Sequence, residues 1–156
     1  MGLTPIQLGP DDPGLAAVHA LIHHCFAPME TRINPPSSVR NLTLDTLRQQ
    51  ARDAEVWTLS SPPCACILLT PRPGCLYLSK LSTAQDARQK GHARRLIDHA
   101  ARRAKSQGLP AIELQSRVEL TENHRAFQAL GFSEVARTTH AGFDTPTSIT
   151  FRRTVV

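Results

Sequence analysis

The sequence predicts an α+β fold: a mixed, mostly antiparallel central sheet with helices on both faces. Three short apolar segments near the middle of the chain are separated by proline-rich turns, which is typical of antiparallel strands. A long amphipathic helix pattern separates the third segment from the next strand pattern, and this order predicts a right-handed parallel crossover. A loop with a single glycine precedes that helix and no βαβ series follows it, which argues against a dinucleotide-binding domain.

The N-terminal third predicts one strand and two helices. A first strand is expected over residues 3–8, and the two aspartates and the proline at residues 11–13 are typical of a helix start. The apolar face of this helix comprises Leu15, Val18, Leu21, Ile22, Cys25 and Phe26. Residues 28–38 are rich in proline, serine and asparagine, which predicts a loop, and residues 43–52 predict a second, short helix.

The middle of the chain predicts three strands, at residues 55–60, 64–70 and 76–83. Proline-containing turns at residues 62–63 and 71–74 are expected to join them as hairpins. Cys64 and Cys66 are two positions apart and are therefore expected on one face of a strand. The chain has 4 cysteines and no C-x-x-C pair, so we expect buried free thiols and no metal site.

The C-terminal half predicts two helices and three strands. A long helix begins after a loop at residues 88–93 and ends near Gly108 and Pro110. Its apolar face comprises Ala93, Leu96, Ile97, Ala100, Ala101 and Ala104. The remaining elements are a short strand at 111–115, a helix from Thr121 or Asn123 to Gly131, and strands at 132–139 and 148–154. Because repeats are absent from the sequence, we expect a single domain over residues 1–156.

The composition predicts a globular protein with anionic partners. The 156-residue chain is 40% hydrophobic, with a formal net charge of +5 and a sequence pI of about 9.5. No apolar run reaches the length of a membrane span and no signal pattern opens the chain, so a cytoplasmic location without membrane contact is expected. Aromatic residues make up only 4% of the chain, which leaves few side chains for base stacking and argues against nucleic acid.

Residues 88–93, Arg-Gln-Lys-Gly-His-Ala, form a basic loop that predicts an anion site. The unpaired N–H groups of the helix that follows, and the positive end of its dipole, can hold a phosphate. Gly91 would let the backbone approach that phosphate closely. Arg94 and Arg95 lie in the first turn, where a bound anion would offset their repulsion by the dipole. Further basic residues on the helix, Arg103 among them, are expected on a solvated face.

Two segments together resemble the GCN5-related N-acetyltransferases (GNAT). Arg88-x-x-Gly91-x-Ala93 follows a strand that ends in Leu81-Ser82-Thr83, and it is similar to the family's loop for the acyl-CoA pyrophosphate. Asn123, Phe127 and Leu130-Gly131-Phe132 are similar to the family's late helix. The resemblance implies a GNAT-like acyl-CoA N-acyltransferase fold with acetyl-CoA as cosubstrate and no metal. The cofactor-binding residues that it implies are Leu81, Ser82, Thr83, Arg88, Gln89, Lys90, Gly91, His92, Ala93, Arg94, Asn123 and Phe127.

The resemblance also implies direct transfer of an acetyl group to a primary amine in a ternary complex. The cosubstrate arm would lie beside the strand that contains Leu81, and a backbone N–H near Leu81 would stabilise the oxyanion. Many family members place a tyrosine at the position of Phe127, as the acid for the departing thiolate. Because phenylalanine has no proton to give, either the thiolate is expected to leave unassisted, or His124 or Tyr77 takes the role of that tyrosine. Glu119 is the leading candidate for the base that accepts the ammonium proton, directly or through a water.

The acceptor amine, a small molecule or a peptide, is expected at residues 32–38, where the resembled family usually builds acceptor pockets. Arg32 and Arg40 would suit an acceptor with a carboxylate or a phosphate. A non-catalytic acyl-CoA-binding module is an alternative suggested by Phe127, and a basic nucleic-acid-binding protein is a further one suggested by the net charge. The sequence leaves the oligomeric state open, with a homodimer among the assemblies that it allows.

Overall fold

The computed structural model describes residues 3–155, and it confirms the predicted α+β class. Seven strands occur within this range: β1 (Ile6–Gln7), β2 (Glu55–Leu59), β3 (Ala65–Arg72), β4 (Cys75–Thr83), β5 (Ala111–Arg117), β6 (Ser133–Thr138) and β7 (Ser148–Thr154). Four α-helices occur in the same range: α1 (Leu15–Phe26), α2 (Leu44–Asp53), α3 (His92–Ser106) and α4 (Thr121–Ala129). Short 3-10 turns lie in the connections, at Ala27–Met29, Ser38–Asn41 and Gln85–Ala87.

One parallel pair of strands interrupts an otherwise antiparallel sheet. The strand order is β1-β2-β3-β4-β5-β7-β6, and every neighbouring pair is antiparallel except β4 with β5. Because α3 connects these two strands, the predicted parallel crossover is confirmed. Their pairing covers only Leu76 with Ile112 and Tyr77 with Glu113. Beyond these residues β4 and β5 diverge, and the sheet opens between them.

Each face of the sheet buries its own apolar core. α1 and α2 cover one face, where Ile22 and Leu47 are both 0% exposed. α3 covers the other face, where Leu96 and Ile97 are also 0% exposed. Burial of a large aliphatic side chain contributes about 1.5–3 kcal/mol, so the periodic apolar faces fix both helical layers against the sheet. The predicted placement of helices on both faces is thereby confirmed.

The N-terminal elements are shorter than the sequence predicts. β1 comprises only Ile6–Gln7, paired with Thr58 and Trp57 of β2. Helix α1 begins at Leu15, because Asp12 forms a turn in front of the helix. The Asp12 carboxylate accepts the N–H of Gly14 at 2.8 Å, and the Asp12 carbonyl accepts the N–H of Leu15 at 3.2 Å. The acidic residues therefore precede the first turn rather than occupy it.

Arg102 and Lys105 are exposed, as predicted for the basic side of α3, but Arg103 is half-buried, so the prediction is wrong for this residue. Its guanidinium donates two hydrogen bonds of 2.9 Å to the Glu55 carboxylate, and Glu55 is only 8% exposed. Burial pushes the pKa of Glu55 upward, but hydrogen bonds from Arg103 and Trp57 outweigh this and hold the pKa below its usual value. A buried carboxylate needs such a cation, and this pair fixes α3 on β2.

The cysteines are free thiols, as the sequence predicts. Cys66 is buried on the α1 side of the sheet, whereas Cys64 precedes β3 in a turn and packs on the α3 side. The prediction that both share one face is therefore wrong, because the strand begins only after Cys64. Burial raises the pKa of the Cys66 thiol to about 12. Among residues 3–155 there is neither a helix long and apolar enough to cross a membrane nor a group of three or more potential metal-binding side chains.

Candidate functional site

The divergence of β4 from β5 opens a cleft of about 1430 Å³. Ordinary small-molecule pockets have volumes of roughly 300–1,000 Å³, so this cleft has room for two substrates. The start of α3 and the inner side of α4 line one part of it. The end of α1 and the loop after it line another part. The cleft therefore reaches both helical layers.

The loop between β4 and α3 is open at the start of the helix. Gly91 precedes α3 with φ of +78°, in the left-handed region, and Gln89 has φ of +64°. No side chain caps this helix, so its first N–H groups remain available to a ligand or to water. A β-carbon at Gly91 would meet no atom within 4 Å. The space in front of the helix is therefore open, and an anion can approach the backbone there.

Basic and polar side chains surround this helix start. Arg88, Gln89, Gly91, His92, Ala93 and Arg94 all line the cleft. Arg88 Nε lies 3.5 Å from the carbonyl oxygen of Thr83 and links the loop to the end of β4. His92 is 9% exposed, and its Nδ1 has no hydrogen-bond partner within the described part of the chain. Lys90 is exposed and lies outside the residues that line the cleft.

Strand β4 is distorted where it borders the cleft. Lys80 has φ of +56°, and the pairing of β3 with β4 shifts register between Cys66 and Leu68. These are the marks of a β-bulge, a distortion that often re-aims a side chain beside a binding site. Leu81, Ser82 and Thr83 follow the bulge and line the cleft on the edge that no longer pairs with β5. That edge can accept an extended ligand as an added strand.

Helix α4 brings Asn123 and Phe127 into the same cleft. The Phe127 ring lies 5.8 Å from the ring of Phe151 and 6.1 Å from that of Phe132. These are ordinary distances for packed aromatic pairs, so Phe127 is held by apolar contacts. Its ring has no proton to donate, and the cleft wall at this point is apolar.

Ser116 is a cleft residue that no motif in the sequence indicates. It lies in β5, is only 7% exposed, and its Oγ has no hydrogen-bond partner among residues 3–155. Alternate residues of a strand share a face, so Ser116 points to the same side as Leu114, which packs in the cluster that contains Phe127. The sequence does carry one sign of this position: Ser116 occupies the next inward-facing position of the strand after Ile112 and Leu114, where an apolar residue would be expected.

Of the residues predicted for proton transfer, Tyr77 lines the cleft, whereas Glu119 and His124 lie at its margin, outside the set that lines it. Glu119 is exposed, and its Oε2 accepts the backbone N–H of Asn34 at 3.1 Å. His124 Nε2 lies 2.8 Å from the carbonyl oxygen of Arg117. A carbonyl only accepts hydrogen bonds, so Nε2 carries the proton and donates it to this oxygen.

The loop after α1 is held against β5 and α4. Arg32 donates to both carboxylate oxygens of Glu122, at 2.5 and 3.0 Å. Arg117 donates to the carbonyl oxygens of Pro35 and Pro36, at 2.6 and 3.1 Å. The hydrogen bonds from Arg32 lower the pKa of Glu122 to about 2, so this carboxylate stays charged. These contacts place the predicted acceptor loop along the cleft.

The comparisons with known proteins agree with this geometry. A family model described as "Acetyltransferase (GNAT) family" matches residues 15–132, whereas no curated protein sequence matches the chain. A GNAT-family acetyltransferase structure from Staphylococcus aureus has a TM-score of 0.75 at 14% identity, covering 99% of this chain and 100% of that chain. An acetyltransferase from Streptococcus agalactiae has a TM-score of 0.74 at 17% identity, covering 99% of both chains. The ribosomal-protein-S18-alanine N-acetyltransferase of Escherichia coli has a TM-score of 0.70 at 17% identity, covering 99% of this chain and 94% of that chain. At such identities the structural likeness speaks for the fold alone.

Proposed function

The chain belongs to the GNAT family of acetyltransferases, and we propose that it transfers an acetyl group from acetyl-CoA directly to a primary amine. One observation carries the proposal: an uncapped helix start at Gly91 and an unpaired strand edge at Leu81 border the same cleft. The helix start suits the pyrophosphate of CoA, and the strand edge suits its extended arm. Arg88 and Arg94 would add charge-assisted contacts to the pyrophosphate.

In the proposed reaction the acceptor nitrogen forms a bond with the thioester carbonyl carbon, and the carbon–sulfur bond breaks. A backbone N–H near Leu81 would stabilise the negative charge that develops on the carbonyl oxygen. One ammonium proton would pass through a water to Glu119 before the attack, and CoA would leave as the thiolate. The second proton, which the nitrogen loses as the amide forms, would pass to solvent. The cleft holds both substrates together, which supplies a large part of the rate enhancement.

We place the stabilisation of the leaving thiolate on Ser116, where the sequence left the choice open. Phe127 cannot donate a proton, and His124 already donates from Nε2 to the Arg117 carbonyl oxygen. Tyr77 lies where β4 still pairs with β5, with the Arg72 guanidinium over its ring. The Ser116 hydroxyl is buried in the cleft wall, faces the α4 side and lacks a partner among the described residues. A hydrogen bond from this hydroxyl would stabilise the thiolate as the carbon–sulfur bond breaks. The thiolate would then take its proton from solvent.

The Ser116→Ala variant should lower kcat about tenfold, because a hydrogen bond to a charged group contributes about 1.5–3 kcal/mol. Its thermal stability should not fall, since the deleted hydroxyl bonds to nothing among the described residues. Adding Phe127→Tyr to this variant should restore part of the rate by supplying another hydroxyl. Steady-state kinetics and a melting curve measure both effects, with Ser106→Ala on the exposed surface of α3 as the control. An unchanged kcat in Ser116→Ala would rule out this role.

The proposed activity itself is tested by thiol release from acetyl-CoA in the presence of a panel of small-molecule and peptide amines. We expect amine-dependent release of CoA and a product that is about 42 Da heavier than the amine, the mass of one acetyl group less a proton. CoA binding without release across the whole panel would favour the alternative of a non-catalytic acyl-CoA-binding module. That alternative draws its support from Phe127, which stands where the resembled family often has a tyrosine.

A further inference from the structure

Lys80 is a cation that the bulge in β4 directs into the cleft. Its φ of +56° is uncommon for a residue with a β-carbon, and such a conformation persists only where the surrounding structure holds it. The Lys80 side chain lines the cleft, and its Nζ donates to Ser38 Oγ at 3.1 Å. Ser38 begins the 3-10 turn Ser38–Asn41 in the predicted acceptor loop. Lys80 therefore points toward the acceptor loop, and the candidate pyrophosphate site lies at the start of α3 on the other helical layer.

The other cations in this part of the cleft already have partners in the protein. Arg32 is bound by Glu122, and Arg40 Nε lies 3.6 Å from Glu30 Oε2. The Arg117 guanidinium donates to two backbone carbonyl oxygens. These contacts occupy the two arginines that the sequence favoured for an anionic acceptor.

Lys80 differs from Arg32 and Arg40 because no carboxylate forms an ion pair with it within residues 3–155. It differs from Arg117, which donates to two carbonyl oxygens, because its one acceptor in this range is the Ser38 hydroxyl. Burial lowers the pKa of Lys80, which reflects the cost of holding an ammonium group away from water without an opposite charge. An anionic group of a ligand would offset that cost, and it would accept a charge-assisted hydrogen bond from the Lys80 ammonium beside Ser38.

We propose that Lys80 binds an acidic group of the acceptor, so that the preferred acceptors are amines that also carry a carboxylate or a phosphate. This inference rests on the proposed acetyl transfer and adds the chemical class of the acceptor. Lys80 lies next to Leu81, whose backbone borders the proposed reaction centre. The acidic group of such an acceptor would therefore lie within a few bonds of the reacting nitrogen.

Paired acceptors test the inference by comparing kcat/KM for each acidic amine with that of its neutral counterpart. Straight-chain amino acids of two to five carbons are paired with alkylamines of equal length, and aminoalkyl phosphates are paired with the corresponding amino alcohols. We expect the wild type to prefer one acidic series by on the order of tenfold or more, and the two series distinguish a carboxylate from a phosphate. The preference should be lost in Lys80→Met, chiefly through KM, and kept in Lys80→Arg.

Lys105→Met is the matched control, because it removes an exposed lysine of α3 outside the cleft and should leave the ratio unchanged. Retained CoA binding by Lys80→Met shows that the variant is folded. Equal kcat/KM for acidic and neutral amines in the wild type would overturn the inference while leaving acetyl transfer established, as would an unchanged preference in Lys80→Met. Failure of every amine to release CoA would overturn the proposed function and this inference with it.

Discussion

Replacement of Gly91 by glutamate is expected to abolish CoA binding, with a loss of at least about 100-fold in affinity. The side chain would enter the open space in front of α3, where a β-carbon at this position meets no atom within 4 Å. Its carboxylate would occupy the proposed pyrophosphate site and repel the pyrophosphate. The measurement is the shift of the melting temperature on adding CoA, because a ligand that binds only the native state raises it.

The substitution also strains the backbone, so it needs a control that carries the same strain. Gly91 has φ of +78°, and a side chain in the left-handed region costs about 1–2 kcal/mol. Gly74 in the β3–β4 turn has φ of +81°, and a β-carbon there would also meet no atom within 4 Å. Gly74 lies outside the residues that line the cleft. Gly74→Glu should therefore lose similar stability and keep the shift on CoA addition.

The two variants separate the effect of backbone strain from the effect on the ligand. If Gly91→Glu bound CoA with wild-type affinity, the pyrophosphate would lie elsewhere and the assignment of the loop would be lost. If both variants lost binding equally, the cause would be general destabilisation of the fold. A loss confined to Gly91→Glu is the expected result.

The loop before α3 and the central elements of the fold were predictable because their signals are local. The apolar face of α3 repeats at the helical spacing, and Gly91 stands at the helix start. A parallel crossover follows from the order strand, helix, strand. Each of these features depends on residues within one element or one connection. The structure places the loop, the end of β4 and Asn123 around one cleft, although they are separated in sequence.

Other features depend on contacts between distant parts of the chain, which a single sequence does not reveal. Arginine is a residue type usually found on the surface, and the partner of Arg103, Glu55, lies 48 positions earlier in the chain. The bulge at Lys80 depends on how β3 pairs with β4. Ser116 resembles any half-polar strand residue until the divergence of β4 and β5 places it in the wall of the cleft. Sequence patterns therefore predict the elements, whereas tertiary pairing selects which polar side chains reach the site.

The ion pairs of the neighbouring carboxylates support the choice of Glu119 as the proposed base. Glu122 is bound by Arg32 and has a pKa lowered to about 2, which makes it a weak proton acceptor. Glu113 is bound by Arg152 at 2.5 Å. Glu119 forms no ion pair within the described part of the chain, and its Oε2 accepts only the N–H of Asn34 among these residues. It therefore retains the capacity to accept a proton, through a water at the margin of the cleft.

Glu119→Gln is expected to lower kcat about 100-fold with little change in the acceptor KM, because general base catalysis typically contributes about 10²–10⁴-fold. The glutamine side-chain oxygen can still accept the N–H of Asn34, so the acceptor loop keeps this contact. The remaining activity should rise steadily with pH, since only amine that is already deprotonated in water can then react. Steady-state kinetics over a range of pH values measures both effects.

Glu122→Gln is the matched control, because it removes a neighbouring charge without removing the proposed base. It breaks the ion pair with Arg32 that holds the acceptor loop, so it should raise the acceptor KM and change kcat much less. If Glu119→Gln instead raised KM and left kcat near the wild-type value, Glu119 would be a residue that positions the loop through Asn34. The proton would then have to leave through solvent, and the dependence of the rate on pH would be the same in the variant and the wild type.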